Sequence, residues 1–349
     1  MTAPKIVIGA GGTAGHVVPA LAVADALRAD GAEVAFIGGE RAELELVPAA
    51  GYELRTLRVQ PLYRKQPIRA ARAALIDAAA LVAARRLLAE LRPAAVMGAG
   101  GYVAGPVGLA AVVRRVPLVL CEADSHLGLT NRLLAPVAKR VCLAFPIAGR
   151  DGDRYRITGR PIPPPATDRK AARERFGIGP WETCVLVFGG SQGARSINHA
   201  AVEAFAGARF HVLHAAGERD LPDLQAPGPH YDLRGYISDF GEALVASDLV
   251  IARSGGSIFE IAAAGRPAVL IPYPYATADH QTANARYMEE AGAAIVIPDD
   301  ELTPARLAAE VGGLLADRGR LAAMARASAA LAKPDAAREI AREVLAAVR

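Results

Sequence analysis

Two stretches of this chain set glycines and hydrogen-bonding side chains directly after an apolar run. Ile6-Val7-Ile8 leads into Gly9-Ala-Gly-Gly-Thr-Ala-Gly-His16, and Val185-Leu186-Val187-Phe188 leads into Gly189-Gly-Ser-Gln-Gly-Ala194. A helix-like stretch follows each, so unpaired backbone N–H groups gather at a helix N-terminus. There the helix dipole favours an anion such as phosphate. His16 ends the first turn, and an imidazole near its ordinary pKa accepts a proton at neutral pH. Gly100, Gly101 and Tyr102 form a further turn at a strand's C-terminal end, where α/β proteins hold ligands. Glu260 opens a helix, where a carboxylate either complements the helix dipole or accepts hydrogen bonds from a ligand. Neither glycine turn carries a carboxylate pair suited to a metal, so no metal and no cofactor are expected.

Short apolar runs alternate with longer amphipathic segments throughout, the signature of parallel βαβ units. Strands are expected near 5–9, 34–38, 94–97, 117–120 and 141–144 in the first half. In the second they fall near 184–188, 210–214, 248–252, 268–271 and 294–297, with helices between them. Arg160-Pro-Ile-Pro-Pro-Pro-Ala-Thr167 holds four prolines, which continue neither a helix nor a central strand. The reading is therefore a domain over 1–159, a linker over 160–167 and a domain over 168–334. A helix over 335–349 has no strand of its own and is free to pack across either domain. The two turns then imply two nucleotide-fold domains with a cleft between them.

At 349 residues the chain is comfortable for two domains. A hydrophobic content of 52% with 22% charged residues marks a globular chain. The net charge of +4 fits anionic substrates or an anionic membrane surface and does not by itself indicate nucleic acid, which is not expected as a partner. Cys121, Cys142 and Cys184 have neither metal-ligand nor CxxC spacing and read as small buried hydrophobes. Neither a signal peptide nor an apolar stretch of membrane-spanning length is apparent, so a cytoplasmic protein is expected.

Gly9-x-Gly11-x-x-Ala14 also matches a relaxed dinucleotide fingerprint, with Glu40 placed as a ribose-binding acid, so an oxidoreductase competes. His16 and Pro19 in the turn and first helical turn count against it, as does the different spacing of the second loop. Gly11-Gly-Thr-Ala-Gly-His-Val-Val-Pro19 resembles the first loop of the MurG family, which transfers N-acetylglucosamine (GlcNAc) in peptidoglycan synthesis. Gly98–Pro106, Gly189–Asn198, Arg253–Pro267, Asp279–Asn284 and Glu290–Ala294 resemble that family in the same order, over almost the whole chain.

The resemblance implies an α/β fold of the GT-B type, two Rossmann-like domains, and inverting, metal-independent transfer from UDP-GlcNAc to a lipid-linked diphosphate acceptor. It sets Glu260 on the ribose, the Ile237 backbone on uracil, and Gly256 and Ser257 in the turn between them. The diphosphate would rest on the N–H groups of the second loop, with Ser191, Gln192 and Gly193, and Gln281 on the donor sugar. Preorganised donors of this kind stabilise developing negative charge in place of a metal. Thr13, Ala14 and Gly15 would line the first loop beside His16 as general base, with Gly100, Gly101 and Tyr102 on the acceptor side.

The chain departs from that family at four places, of which Ala14 for glycine narrows the first loop and an Arg253–Glu260 segment shorter by one residue alters the uracil and ribose turn. Cys121-Glu-Ala-Asp124 stands for His-Glu-x-Asn, so Asp124 occupies a ligand-contacting position. As a carboxylate it is read as an alternative base or as the partner that orients His16. Thr158-Gly-Arg-Pro-Ile-Pro163 stands for Thr-Gly-Asn-Pro-x-Arg, so Arg160 is read as the cation that reaches the donor's anion. Leu62-Tyr-Arg-Lys-Gln-Pro-Ile-Arg69, with Arg72 and Leu75, mixes basic and apolar residues as shallow binding to a cytoplasmic membrane surface requires. A transferase with another acceptor, a UDP-sugar epimerase and a non-catalytic UDP-sugar-binding subunit remain open at this level.

Overall fold

A computed structural model of the chain describes residues 3–59, 67–190, 192–276 and 279–348, the side chains of 67–78 excepted. The stretch at 62–69 with Arg72 and Leu75, and Ser191, therefore lie outside the described residues or side chains. The chain divides into two compact units, Met1–Ile162 with Asp335–Arg349, and Pro163–Pro334.

In the first unit seven parallel strands form one sheet in the order β3-β2-β1-β4-β5-β6-β7. They are β1 (Lys5–Gly9), β2 (Glu33–Gly38), β3 (Glu53–Thr56), β4 (Ala95–Gly98), β5 (Leu118–Glu122), β6 (Arg140–Leu143) and β7 (Tyr155–Ile157). The helices are α1 (Ala14–Ala29), α2 (Ala42–Ala49), α3 (Pro67–Leu91), α4 (Ala104–Val113) and α5 (Leu129–Leu134). Ile6, Val7, Ile8, Val96 and Met97 are wholly buried, as parallel strands covered on both faces must be.

The second unit holds α6 (Arg169–Arg175) and β8 (Cys184–Phe188), then α7 (Arg195–Ala204), β9 (His211–Ala215), β10 (Tyr231–Arg234) and α8 (Phe240–Ala246). It continues through β11 (Leu249–Ala252), α9 (Ile258–Ala263), β12 (Ala268–Leu270), α10 (His280–Glu290), β13 (Ala294–Val296), α11 (Pro304–Ala316) and α12 (Arg318–Ala330). Its six parallel strands run β10-β9-β8-β11-β12-β13. The last helix, α13 (Ala336–Val348), returns to the first unit. It buries Ile340, Ala341 and Val344 in the core beside α1, and Glu343 pairs with Arg140 at 2.9 Å. The terminal helix thus belongs to the first unit.

Cys142 and Cys184 are buried and Cys121 is half-buried; Cys121 faces Cys142 in the β5–β6 register. Among the described residues no helix is long and apolar enough to cross a membrane.

Candidate active site

Strand order reverses between β1 and β4, so the turns after these two strands lie side by side. Thr13, Ala14 and Gly15 are exposed on the first turn and His16 is half-buried at the head of α1. His16 Nδ1 lies 3.2 Å from Thr13 Oγ1. With Nδ1–H donating to that hydroxyl, Nε2 keeps its lone pair for an incoming proton. Burial, then the Arg160 guanidinium, push the imidazole below its ordinary value of 6.5, against the opposing charge of Asp124. The shift favours the neutral imidazole. Thr13 is the side chain within hydrogen-bond distance of the ring, while Asp124, expected as an alternative base or as the orienting partner, acts on the imidazole as a nearby charge.

Gly100 and Gly101 close against this loop from β4, at φ of 94° and 76°. A Cβ on Gly100 would meet His16 Cδ2 at 2.6 Å, and one on Gly101 would meet the Gly11 carbonyl oxygen at 1.9 Å. Only glycine fits at either position, and exposed Tyr102 follows. Pro19, inside α1, has no N–H to offer the carbonyl four residues back, which is that of Gly15. Arg160 fills the gap, its Nη2 donating to Gly15 O at 2.8 Å. Arg160, within the first unit, is thereby tied to the loop that carries His16.

Two buried carboxylates support these loops. Glu122, at the end of β5, accepts from the N–H groups of Asp124 at 3.2 Å and Gly128 at 2.8 Å, and from Asn131 Nδ2 at 2.9 Å. Burial raises its pKa, and these donors offset part of that shift. Glu43, only 1% exposed on α2, accepts from Gly12 N–H at 2.9 Å. Its Oε1 lies where a Cβ on Gly11 or Gly39 would come within 2.8 and 2.7 Å. An internal carboxylate thus claims an N–H that a dinucleotide pyrophosphate would need, and Glu40 pairs with Arg58.

In the second unit strand order reverses between β8 and β11. A cavity of about 780 Å³ opens there, lined by Gly189, Gln192, Gly193, Arg195, Arg253 and Gln281 among others. Gln281 accepts from Tyr273 N–H at 3.0 Å through Oε1, which turns its NH₂ group toward Gly255. Ser257 occupies the N-cap position of α9, just after Gly256, and Glu260 is half-buried in that helix's first turn. Ile237 is 5% exposed, so its side chain is packed away from solvent. The structure gathers Gln192, Gly193 and Gln281 around one cavity; Ile237, Gly256, Ser257 and Glu260 belong to the same unit but are not among the residues lining it.

In the sequence Arg253 stands out only as part of a motif. It is 8% exposed and donates through Nη1 to the Ile271 and Pro272 carbonyls and to Asp299 Oδ1 at 2.6 Å. Its Nη2 donates to Ser196 Oγ at 2.9 Å, and Ser196 donates to Asp299 at 2.7 Å, closing a triangle on the cavity wall. An arginine directly after an apolar strand was the available signal, but Asp299 lies too far along the chain for spacing to suggest the pairing.

Two doubly wound units, each with its loops gathered at a switch point, define the GT-B architecture. The chain matches the glycosyltransferase family 28 N-terminal domain over residues 6–143 and the C-terminal domain over 184–340. It is 42% identical over 359 residues to the UDP-N-acetylglucosamine--N-acetylmuramyl-(pentapeptide) pyrophosphoryl-undecaprenol N-acetylglucosamine transferase of Halorhodospira halophila, covering 98% of each chain. The protein of that name from Moorella thermoacetica is 40% identical, with 99% of each chain covered. The crystal structure of Acinetobacter baumannii MurG matches with a TM-score of 0.81 at 30% identity, over 98% of this chain and 99% of that one. The chain belongs to glycosyltransferase family 28 and, within it, to the MurG family.

Proposed function

We propose that this protein transfers GlcNAc from UDP-GlcNAc to a lipid-diphosphate-linked N-acetylmuramyl acceptor, with inversion and without a metal. The activity for which its relatives are named supplies the substrates. What carries the reading in the structure is a neutral, oriented His16 on the first unit together with an open polar cavity at the second unit's switch point.

In this reading the second unit holds the donor. Backbone N–H groups at the Gln192 end of the loop take the diphosphate, Glu260 the ribose hydroxyls and the Gln281 amide the sugar. Charge that develops on the departing UDP is met by fixed donors, which need no reorganisation as the bond breaks. His16 Nε2 takes the proton of the attacking acceptor hydroxyl, with Thr13 holding Nδ1. Peripheral attachment to the cytoplasmic face of the membrane is supported by exposed Leu109, Val113, Leu133 and Val137 on and beside α4 and α5, which pack together. The basic and apolar sequence at 62–69 adds to it.

The test is release of UDP from UDP-GlcNAc with and without the lipid acceptor. Release that depends on acceptor, with His16→Ala lowering kcat by about 10²–10⁴ while UDP-GlcNAc still binds, is the expected result. Epimerisation of the sugar without acceptor would replace the reading by that of an epimerase.

A further inference from the structure

We infer that a buried side-chain chain in the second unit, Tyr231–His214–Asn198, positions the donor loop for the nucleotide diphosphate. The inference rests on the donor assignment above.

His214 is fully buried on β9, with Nδ1 2.8 Å from Tyr231 Oη on β10 and Nε2 3.0 Å from Asn198 Oδ1 on α7. Asn198, also fully buried, sends Nδ2 to the Ala216 carbonyl at 2.8 Å and to Asp220 Oδ2 at 3.0 Å. Arg219 donates to both oxygens of Asp220, at 2.8 and 3.0 Å.

These partners leave one arrangement of protons. The carbonyl and the ionised carboxylate only accept, so the Asn198 NH₂ group must face them and its Oδ1 must accept from His214. His214 then carries its proton on Nε2, and Nδ1 accepts from the Tyr231 hydroxyl. The donors of Tyr231, His214 and Asn198 all point the same way, from the edge strand β10 toward Asp220 on the cavity wall, which Arg219 meets from the other side.

The chain ends on the atom against which the donor loop packs. A Cβ on Gly193, at φ 71°, would lie 2.0 Å from Ala216 O, and one on Gly217 would lie 2.6 Å from Gly193 N. Asn198 sits in the first turn of α7, directly after the loop, and grips the carbonyl that Gly193 touches. Its two donated bonds therefore join the helix start, the end of β9 and the Gly189–Ala194 loop into one unit. Gly193 N–H is already donated to the Gly190 carbonyl at 2.9 Å, so the loop holds its own turn, and the remaining N–H groups that face an anion are sensitive to small displacements of this kind.

The test is calorimetry with UDP on the intact protein, beside thermal melting and steady-state kinetics. Asn198→Asp keeps the volume but turns a donor into an acceptor facing the Ala216 carbonyl and Asp220. It should weaken UDP binding by roughly tenfold or more and raise KM for UDP-GlcNAc more than it lowers kcat. Tyr231→Phe removes one hydroxyl from the far end and should weaken binding by about threefold, which keeps the inference testable if the first variant does not fold. Tyr52→Phe, which removes a hydroxyl bonded to Asp25 in the first unit, serves as a control for stability loss and should leave UDP affinity alone. If Tyr231→Phe lowers the melting temperature as Tyr52→Phe does while its UDP affinity stays at the wild-type value, the chain is a packing feature and the inference is overturned. Absence of UDP binding by the unmodified protein would remove the donor assignment, and the inference with it.

Discussion

Arg160 makes two separable contributions to His16, and replacing it tests both. Its guanidinium fills the Gly15 carbonyl orphaned by Pro19, at 2.8 Å, and its charge is the second cause, after burial, of the lowered His16 pKa. The bond lies near the surface, so its loss is worth about 1 kcal/mol, or roughly fivefold in kcat if the loop position matters only in the transition state. Removing the charge leaves the Asp124 carboxylate unopposed, so the imidazole becomes more basic. A base must be neutral to act, so the acid limb of kcat against pH moves upward.

Arg160→Gln should therefore lose the most activity at low pH and keep only the roughly fivefold deficit at about pH 8.5, where the imidazole is neutral in both proteins. Arg160→Lys retains the charge without the fork, so it should show that deficit with the acid limb near its wild-type position. A pH–rate profile of the three proteins, with saturating donor and acceptor, measures both. An unmoved acid limb in Arg160→Gln would refute the electrostatic role, and full activity at high pH would refute the positioning role. The sequence reading set Arg160 on the donor instead; a tenfold loss of UDP affinity in Arg160→Gln would restore that assignment.

Glu260→Ala should weaken UDP binding by roughly 1.5–3 kcal/mol if the carboxylate holds the ribose hydroxyls, and calorimetry showing wild-type affinity would rule this out. Glu43→Ala removes the acceptor of Gly12 N–H and leaves a buried donor unpaired, so chemical denaturation should show a loss of about 1–3 kcal/mol, together with a fall in kcat. His214 is held at about 4, against an ordinary 6.5, by burial. The folded value lies below the unfolded one, so this stabilisation is complete above 6.5 and is lost as pH falls from there through 4. It is worth at most about 3 kcal/mol. His16 and His211, also lowered, act in the same direction, so urea midpoints should drop over that window and drop less in His214→Gln.

The sequence by itself determined the two doubly wound units, because the central strands of a parallel sheet are covered on both faces and must be continuously apolar. Ile6-Val7-Ile8 and Val185-Leu186-Val187-Phe188 could therefore be read directly. The turns after them were legible for a related reason: where backbones touch, as at Gly101 and Gly11, only glycine fits, and glycine can be seen in a sequence. Strands β3, β7 and β10 were not read. All three are sheet edges, and their sequences Glu-Leu-Arg-Thr, Tyr-Arg-Ile and Tyr-Asp-Leu-Arg keep a polar share, because an edge strand has a neighbour on one side only. Helix α2 was missed as well, and with it Glu43, whose single turn of function depends on three glycines from two other segments leaving room for its carboxylate. Tertiary structure alone decided the polar pairings: Arg160 with Gly15, Arg253 with Asp299, and His214 with Asn198 and Tyr231. A hydrogen bond is specific at about 3 Å and carries no trace along the chain. Which acceptor an arginine meets, and which tautomer a buried histidine keeps, follows only from what the folded backbone sets opposite it.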